Sequence, residues 1–121
     1  MEKTEILEFV KSRARATNRR DSNCAGTSFY LVGEQENDVY VSRNKSLEIL
    51  SGLEDSNEPK EGNLVYWGDK NYVVHVGVVL NREKLLMAHR AKSKEMLKQV
   101  PIKEFSKYFG EPKYKTPSIF S

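Results

Sequence analysis

The chain has few of the residues that most often carry chemistry. Its 121 residues include one cysteine, Cys24, and two histidines, His75 and His89. A lone cysteine excludes an internal disulfide, and with it the disulfide-stapled secreted scaffolds. No apolar run approaches 18 residues, which excludes a hydropathy-evident transmembrane helix. The segment Met1–Glu8 carries acids where a signal peptide needs an apolar stretch, so a cytoplasmic protein with no membrane partner is expected. Charge of one sign is scarce as well. Lys plus Arg number 20 against 17 Asp plus Glu, and the net +3 is too small to imply a nucleic-acid partner. There is no internal repeat and no low-complexity linker.

What is present suits one compact domain over residues 1–121, with 38% hydrophobic and 31% charged residues. Residues 4–16 have helical spacing, with Ile6, Leu7, Phe9, Val10 and Ala14 on one face and Thr4 as a cap. Arg13, Arg15, Arg19 and Arg20 follow as a basic run, most simply a solvated helix end. Asp21, Ser22 and Asn23 are all N-cap residues, so a short helix is expected from Cys24 to Val32, closed by Gly33. Val39–Val41 suits a short strand, Ser46–Leu50 a short helix, and Asp55–Gly62 a loop. Strands are expected over Leu64–Trp67, Tyr72–Leu80 and Lys84–His89, joined by a turn at Gly68–Asn71 and a connection at Asn81–Glu83. A helix over Lys103–Phe109, stopped by Gly110, and an edge strand at Lys113–Lys115 complete the chain. Helices precede an antiparallel meander, so the class is α+β.

The positions of the three reactive side chains carry information. Cys24 falls at the first position of its helix, where the helix dipole and a nearby imidazolium would favour the thiolate. The bland alternative is a small residue packed under the sheet. In strand 72–80 alternation puts His75, Gly77 and Val79 on one face and Val74, Val76, Val78 and Leu80 on the other. A three-residue loop at 81–83 would pair Leu80 with Lys84 and His75 with His89, making the imidazoles direct cross-strand neighbours. One histidine could then take the thiol proton while the other orients it. Gly77, beside His75, would leave room for a helix end to approach.

Asn23-Cys24-Ala25-Gly26-Thr27-Ser28-Phe29-Tyr30 resembles the helix-opening cysteine motif of the NlpC-type cell-wall peptidases, which belong to the papain-like cysteine hydrolases. Gly62-Asn63-Leu64-Val65-Tyr66-Trp67 and His75-Val76-Gly77-Val78-Val79-Leu80 resemble two of that family's strands. Lys84–His89 lies where the family has a strand ending in a third polar residue, often histidine. The resemblance runs from about Asp21 to His89. It implies a reduced papain-like core, with the nucleophile helix packed on an antiparallel sheet. It implies Cys24 as nucleophile, His75 as general base and His89 as its orienting partner. No metal or organic cofactor is needed, because thiol, imidazole and oxyanion donors suffice.

The chain departs from the family at its flanks. Asn23 and Ala25 stand where the family usually has Asp and Ser, and Asn63 where it usually has Asp. No tyrosine precedes Cys24, although the family tends to carry one at the stretch corresponding to Ser12–Arg15. The nucleophile machinery therefore matches while the substrate-binding positions differ. Ser22 and Asn23 are candidates for lining the oxyanion site, and Trp67 for a substrate platform, each beside a plainer role as cap or core. The expected partner is a peptide or small amide, such as a cell-wall stem peptide. The alternatives are a non-catalytic binding module on the same fold and a nucleic-acid-associated protein using the arginine run.

Overall fold

The computed structural model describes residues 1–16, 22–83, 86–89 and 98–121, with the backbone alone for 86–89. Arg19, Arg20, Asp21, Lys84 and Leu85 thus lie outside the described residues, as does the side chain of His89. Helices α1 (Lys3–Arg15), α2 (Cys24–Leu31) and α3 (Arg43–Ser51) come first. Strands β1 (Glu54–Ser56), β2 (Leu64–Asp69), β3 (Tyr72–Asn81), β4 (Leu86–His89) and β5 (Lys98–Pro101) follow. Helix α4 (Ile102–Phe109), strand β6 (Lys113–Thr116) and a closing 3₁₀ turn at Ser118–Phe120 complete the order. The sheet runs β1-β6-β2-β3-β4-β5, and its neighbouring strands pair antiparallel. The class is α+β, as the sequence indicates. Among the described residues, no helix is long and apolar enough to cross a membrane.

Alternation in β2 divides the interior in two. Leu64 joins Val10, Phe29, Leu31, Val76 and Val78 in the core beneath α1 and α2. Val65 and Trp67 join Val79 and Ile102 on the other face, under α4. Burying a side chain such as Phe29 or Leu31 stabilises the fold by roughly 1.5–3 kcal/mol, so α2 is held chiefly by this packing.

Several elements differ from expectation for identifiable reasons. Helix α1 opens at Lys3 because the Glu5 carboxylate accepts from the Glu2 N–H at 3.4 Å, which leaves Thr4 inside the first turn. Arg13 is not a solvated helix end. Its guanidinium donates to the carbonyls of Tyr30 (3.0 Å) and Gln35 (2.9 Å) and lies over the Phe9 and Tyr30 rings, which fastens α1 to the end of α2. Residues 39–41 form no strand, since the Asn23 side chain occupies both main-chain groups of Val41. The expected edge strand, β6, lies inside the sheet because Glu54–Ser56 extends along its far side.

Two irregularities decide what β3 presents. A bulge sets Trp67 opposite His75 but Gly68 opposite Val73, which leaves Val74 unpaired. Val73 therefore joins Val76 and Val78 in the core, and Val74 turns outward with 39% of its surface exposed. Gly68 permits the bulge. Its φ is +141°, and a Cβ there would overlap the Tyr72 carbonyl oxygen.

The second irregularity corrects the expected histidine pairing. Strand β3 runs on to Asn81, which pairs with Leu86, while Val79 pairs with Met87 and Val78 with Ala88. The ladder is displaced by two residues from the register that would face His75 with His89. Continued one step, it sets His89 against Gly77, diagonal to His75. The reason is local: β3 runs one residue past Leu80 and β4 begins at Leu86, which displaces the ladder by three residues, and a one-residue bulge at Leu80 takes one of them back.

Candidate active site

The site is built around the N-terminus of α2. Asn23 caps the helix, its Oδ1 accepting from the Gly26 N–H at 2.9 Å. The same oxygen accepts from the Val41 N–H at 3.1 Å, and Nδ2 donates to the Val41 carbonyl at 2.8 Å. An aspartate could cap the helix but could not donate to Val41. The Asn23→Asp variant is accordingly expected to lose about 1 kcal/mol of stability, read as a lower urea midpoint with unchanged slope; an equal or higher midpoint would refute the clamp.

Behind the cap, Ser22 Oγ lies 3.2 Å from Thr27 Oγ1, which donates to Asp38 Oδ1 at 2.7 Å. All three residues are buried. Gly26 packs against the Val39 main chain so closely that a Cβ would overlap the carbonyl oxygen. Gln35 secures the same loop, donating to the carbonyls of Gly26 (3.0 Å) and Asn37 (2.9 Å).

Cys24 is the first residue of α2 and is half-buried. Ser28, one turn later, donates to the Val76 carbonyl at 3.2 Å. The Val76 N–H lies at the Cys24 sulfur, so α2 engages both main-chain groups of Val76. Val76 follows His75 directly, which brings the sulfur to the peptide unit that His75 itself forms. Burial pushes the Cys24 thiol up, and the N–H groups of Val76, Ala25 and Cys24 pull it down by less. Among the described residues, the groups that act on the sulfur are these main-chain amides. The helix-start position thus supplies the hydrogen bonds expected of it, but desolvation is larger, and the net effect on the thiol is upward.

His75 is buried, with its ring stacked on Phe105 of α4 at 4.7 Å and 3° and tilted against Trp67 at 6.2 Å. Trp67 is fully buried and donates from Nε1 to Ser106 Oγ at 3.3 Å. Helix α4 and strand β2 therefore hold the imidazole in place on the α4 side, while Cys24 comes to the same peptide from the α2 side.

A cavity of about 270 Å³ opens beside Cys24, lined in part by Asn23, Cys24, Tyr40, Arg43, Val74 and Val76. Of the three residues expected to touch substrate, only Asn23 reaches this cavity. Ser22 and Trp67 are spent on internal hydrogen bonds and packing. Gly26, Ser28 and Arg43 were not singled out by sequence reasoning. The i, i+4 spacing of Cys24 and Ser28, which puts both on one helix face, is the signal that marks Ser28. Among the described residues, no group of three or more His, Cys, Asp or Glu side chains gathers as a metal site.

Compared with known proteins, the chain matches no family model, no curated protein and no solved structure.

Proposed function

We propose that this protein is a thiol hydrolase on a reduced papain-like core, cleaving an amide or isopeptide bond through a thioester on Cys24. One observation carries this reading: the Cys24 sulfur, at the start of α2, lies at the N–H of the residue that follows His75, beside an open cavity. A thiol pushed up by burial needs a base at the moment of attack, and that role is assigned to His75, which forms the peptide bond with Val76.

In this mechanism the sulfur attacks the substrate carbonyl as its proton passes to His75. The S–C bond forms, and the carbonyl oxygen becomes an oxyanion near the first-turn amides of α2. The tetrahedral species collapses, the C–N bond breaks, and the amine leaves with the proton from His75. Water then attacks the thioester with His75 again as base, releasing the acid and restoring the thiol. His89 is assigned the orienting role. Its diagonal register position corresponds to a separation of roughly 7–8 Å, one that ring side chains can span. The substrate is a peptide or small amide, cell-wall stem peptides among the candidates.

A non-catalytic binding module on the same fold is the second reading, favoured by the raised thiol. Incubation with p-nitrophenyl esters and γ-glutamyl amides, followed by acid quench and mass spectrometry, separates the two. A hydrolase gives an acyl adduct on the Cys24 peptide and continued turnover, both lost in Cys24→Ala. Folded wild-type protein with neither adduct nor turnover would establish the binding module.

A further inference from the structure

We propose that Phe105 of α4 is a positioning residue for His75: its ring fixes the plane of the imidazole and supports the imidazolium that forms as Cys24 attacks. The inference rests on the thiol-hydrolase reading. It adds a residue from outside the stretch that resembles the family, Asp21–His89.

The two rings lie face to face, with centroids 4.7 Å apart and planes 3° from parallel. That spacing and tilt mark an offset stack, an arrangement that aromatic pairs favour. The imidazole nitrogens donate and accept in the plane of their ring. A flat group against the face therefore restricts rotation of the ring and occupies neither nitrogen. His75 is 7% exposed, so little water reaches it. A buried imidazolium needs stabilisation that water does not give it, and an aromatic face supplies some through its negative quadrupole. In the proposed reaction the proton reaches His75 only as the sulfur attacks. The contact thus strengthens in the transition state, where it accelerates the step.

Phe105 is itself held. Its ring lies 5.6 Å from Trp67 and 6.1 Å from Phe109, one turn further along α4. Ser106, the next residue, accepts from Trp67 Nε1 at 3.3 Å. Ile102 docks the start of the helix in the cluster with Val65, Trp67 and Val79. These contacts fix where α4 sits, and Phe105 carries that placement to the imidazole. A leucine at 105 would fill similar space but present no flat face.

The test follows acylation of Cys24 by p-nitrophenyl acetate at neutral pH in the whole protein and three variants. Phe105→Leu is expected to lower the limiting acylation rate roughly 5- to 10-fold, the size of one aromatic contact felt in the transition state. The half-saturating ester concentration should not change, and Phe105→Tyr should restore the rate. Ile102→Val weakens the docking of α4 without altering either stacked ring, so its rate should stay near wild type. A second readout needs no turnover. In NMR spectra the His75 ring protons should lie upfield under the Phe105 ring current in wild type and Phe105→Tyr, and move back in Phe105→Leu. A Phe105→Leu rate equal to wild type, a loss shared by Ile102→Val or one that Phe105→Tyr does not restore overturns the proposal and leaves the hydrolase reading standing. Wild-type His75 protons without the upfield shift do the same. Folded wild-type protein that forms no acyl adduct overturns the hydrolase reading and this proposal together.

Discussion

Substituting Gly26 by alanine is expected to destabilise the fold by about 3 kcal/mol or more, a large share of the roughly 5–15 kcal/mol typical of a domain. Helix propensity alone predicts the opposite sign. Alanine in a helix interior is favoured over glycine by about 1 kcal/mol, so a freely solvated α2 would gain stability. The added Cβ would overlap the Val39 carbonyl oxygen and stand 2.8 Å from the Val39 carbonyl carbon and from Ser22 Oγ. Neither partner can yield cheaply. The loop is pinned by Gln35 and by Thr27–Asp38, and Ser22 belongs to the same buried hydrogen-bond network. Relief requires α2 to lift from the loop, which strains the Asn23 clamp on Val41 and moves Cys24. Urea unfolding decides the matter: a lower midpoint is expected, and a variant as stable as wild type would show that α2 and the loop do not approach this closely.

His75→Ala is expected to lower acylation of Cys24 by amides and esters at neutral pH by about 10²- to 10⁴-fold, the usual contribution of a positioned base. Alkylation by iodoacetamide at high pH should be nearly unaffected. That reaction uses preformed thiolate and needs no base. Because burial pushes the thiol up, the alkylation rate should climb through a midpoint above the ordinary value of about 8.5. The division between the two reactions identifies the role of His75. A packing role, through Phe105 and Trp67, would change access to the sulfur and so alter both. A midpoint well below 8.5 that moved upward in His75→Ala would instead establish a resting thiolate–imidazolium pair and overturn the neutral-thiol mechanism.

Much of this was legible in the chain. The cap at Asn23 with Cys24 one residue later, the valine-rich strand from Tyr72, and glycine stops at Gly33 and Gly110 all follow from local rules. The histidine pairing was not legible, because it depends on β3 ending at Asn81, β4 beginning at Leu86 and a one-residue bulge at Leu80, none of which has a sequence signature of its own. The same holds for Val74, which strict alternation assigns to the core and the bulge at Gly68 turns outward. Ser22 and Trp67 look like site residues by position in the chain. Their burial depends on Thr27, Asp38 and Ser106, which lie 5, 16 and 39 residues away.

By itself the sequence determined the α+β class, the helix that begins at Cys24, and the strand that carries His75. These depend on caps, alternation and glycine positions within a few residues of one another. Tertiary structure alone decided the sheet order, the displaced register of β4, the engagement of α2 on Val76 and the placing of Arg43 at the cavity. It also decided that the thiol is pushed up, since desolvation is set by everything packed around the sulfur and outweighs the local amides.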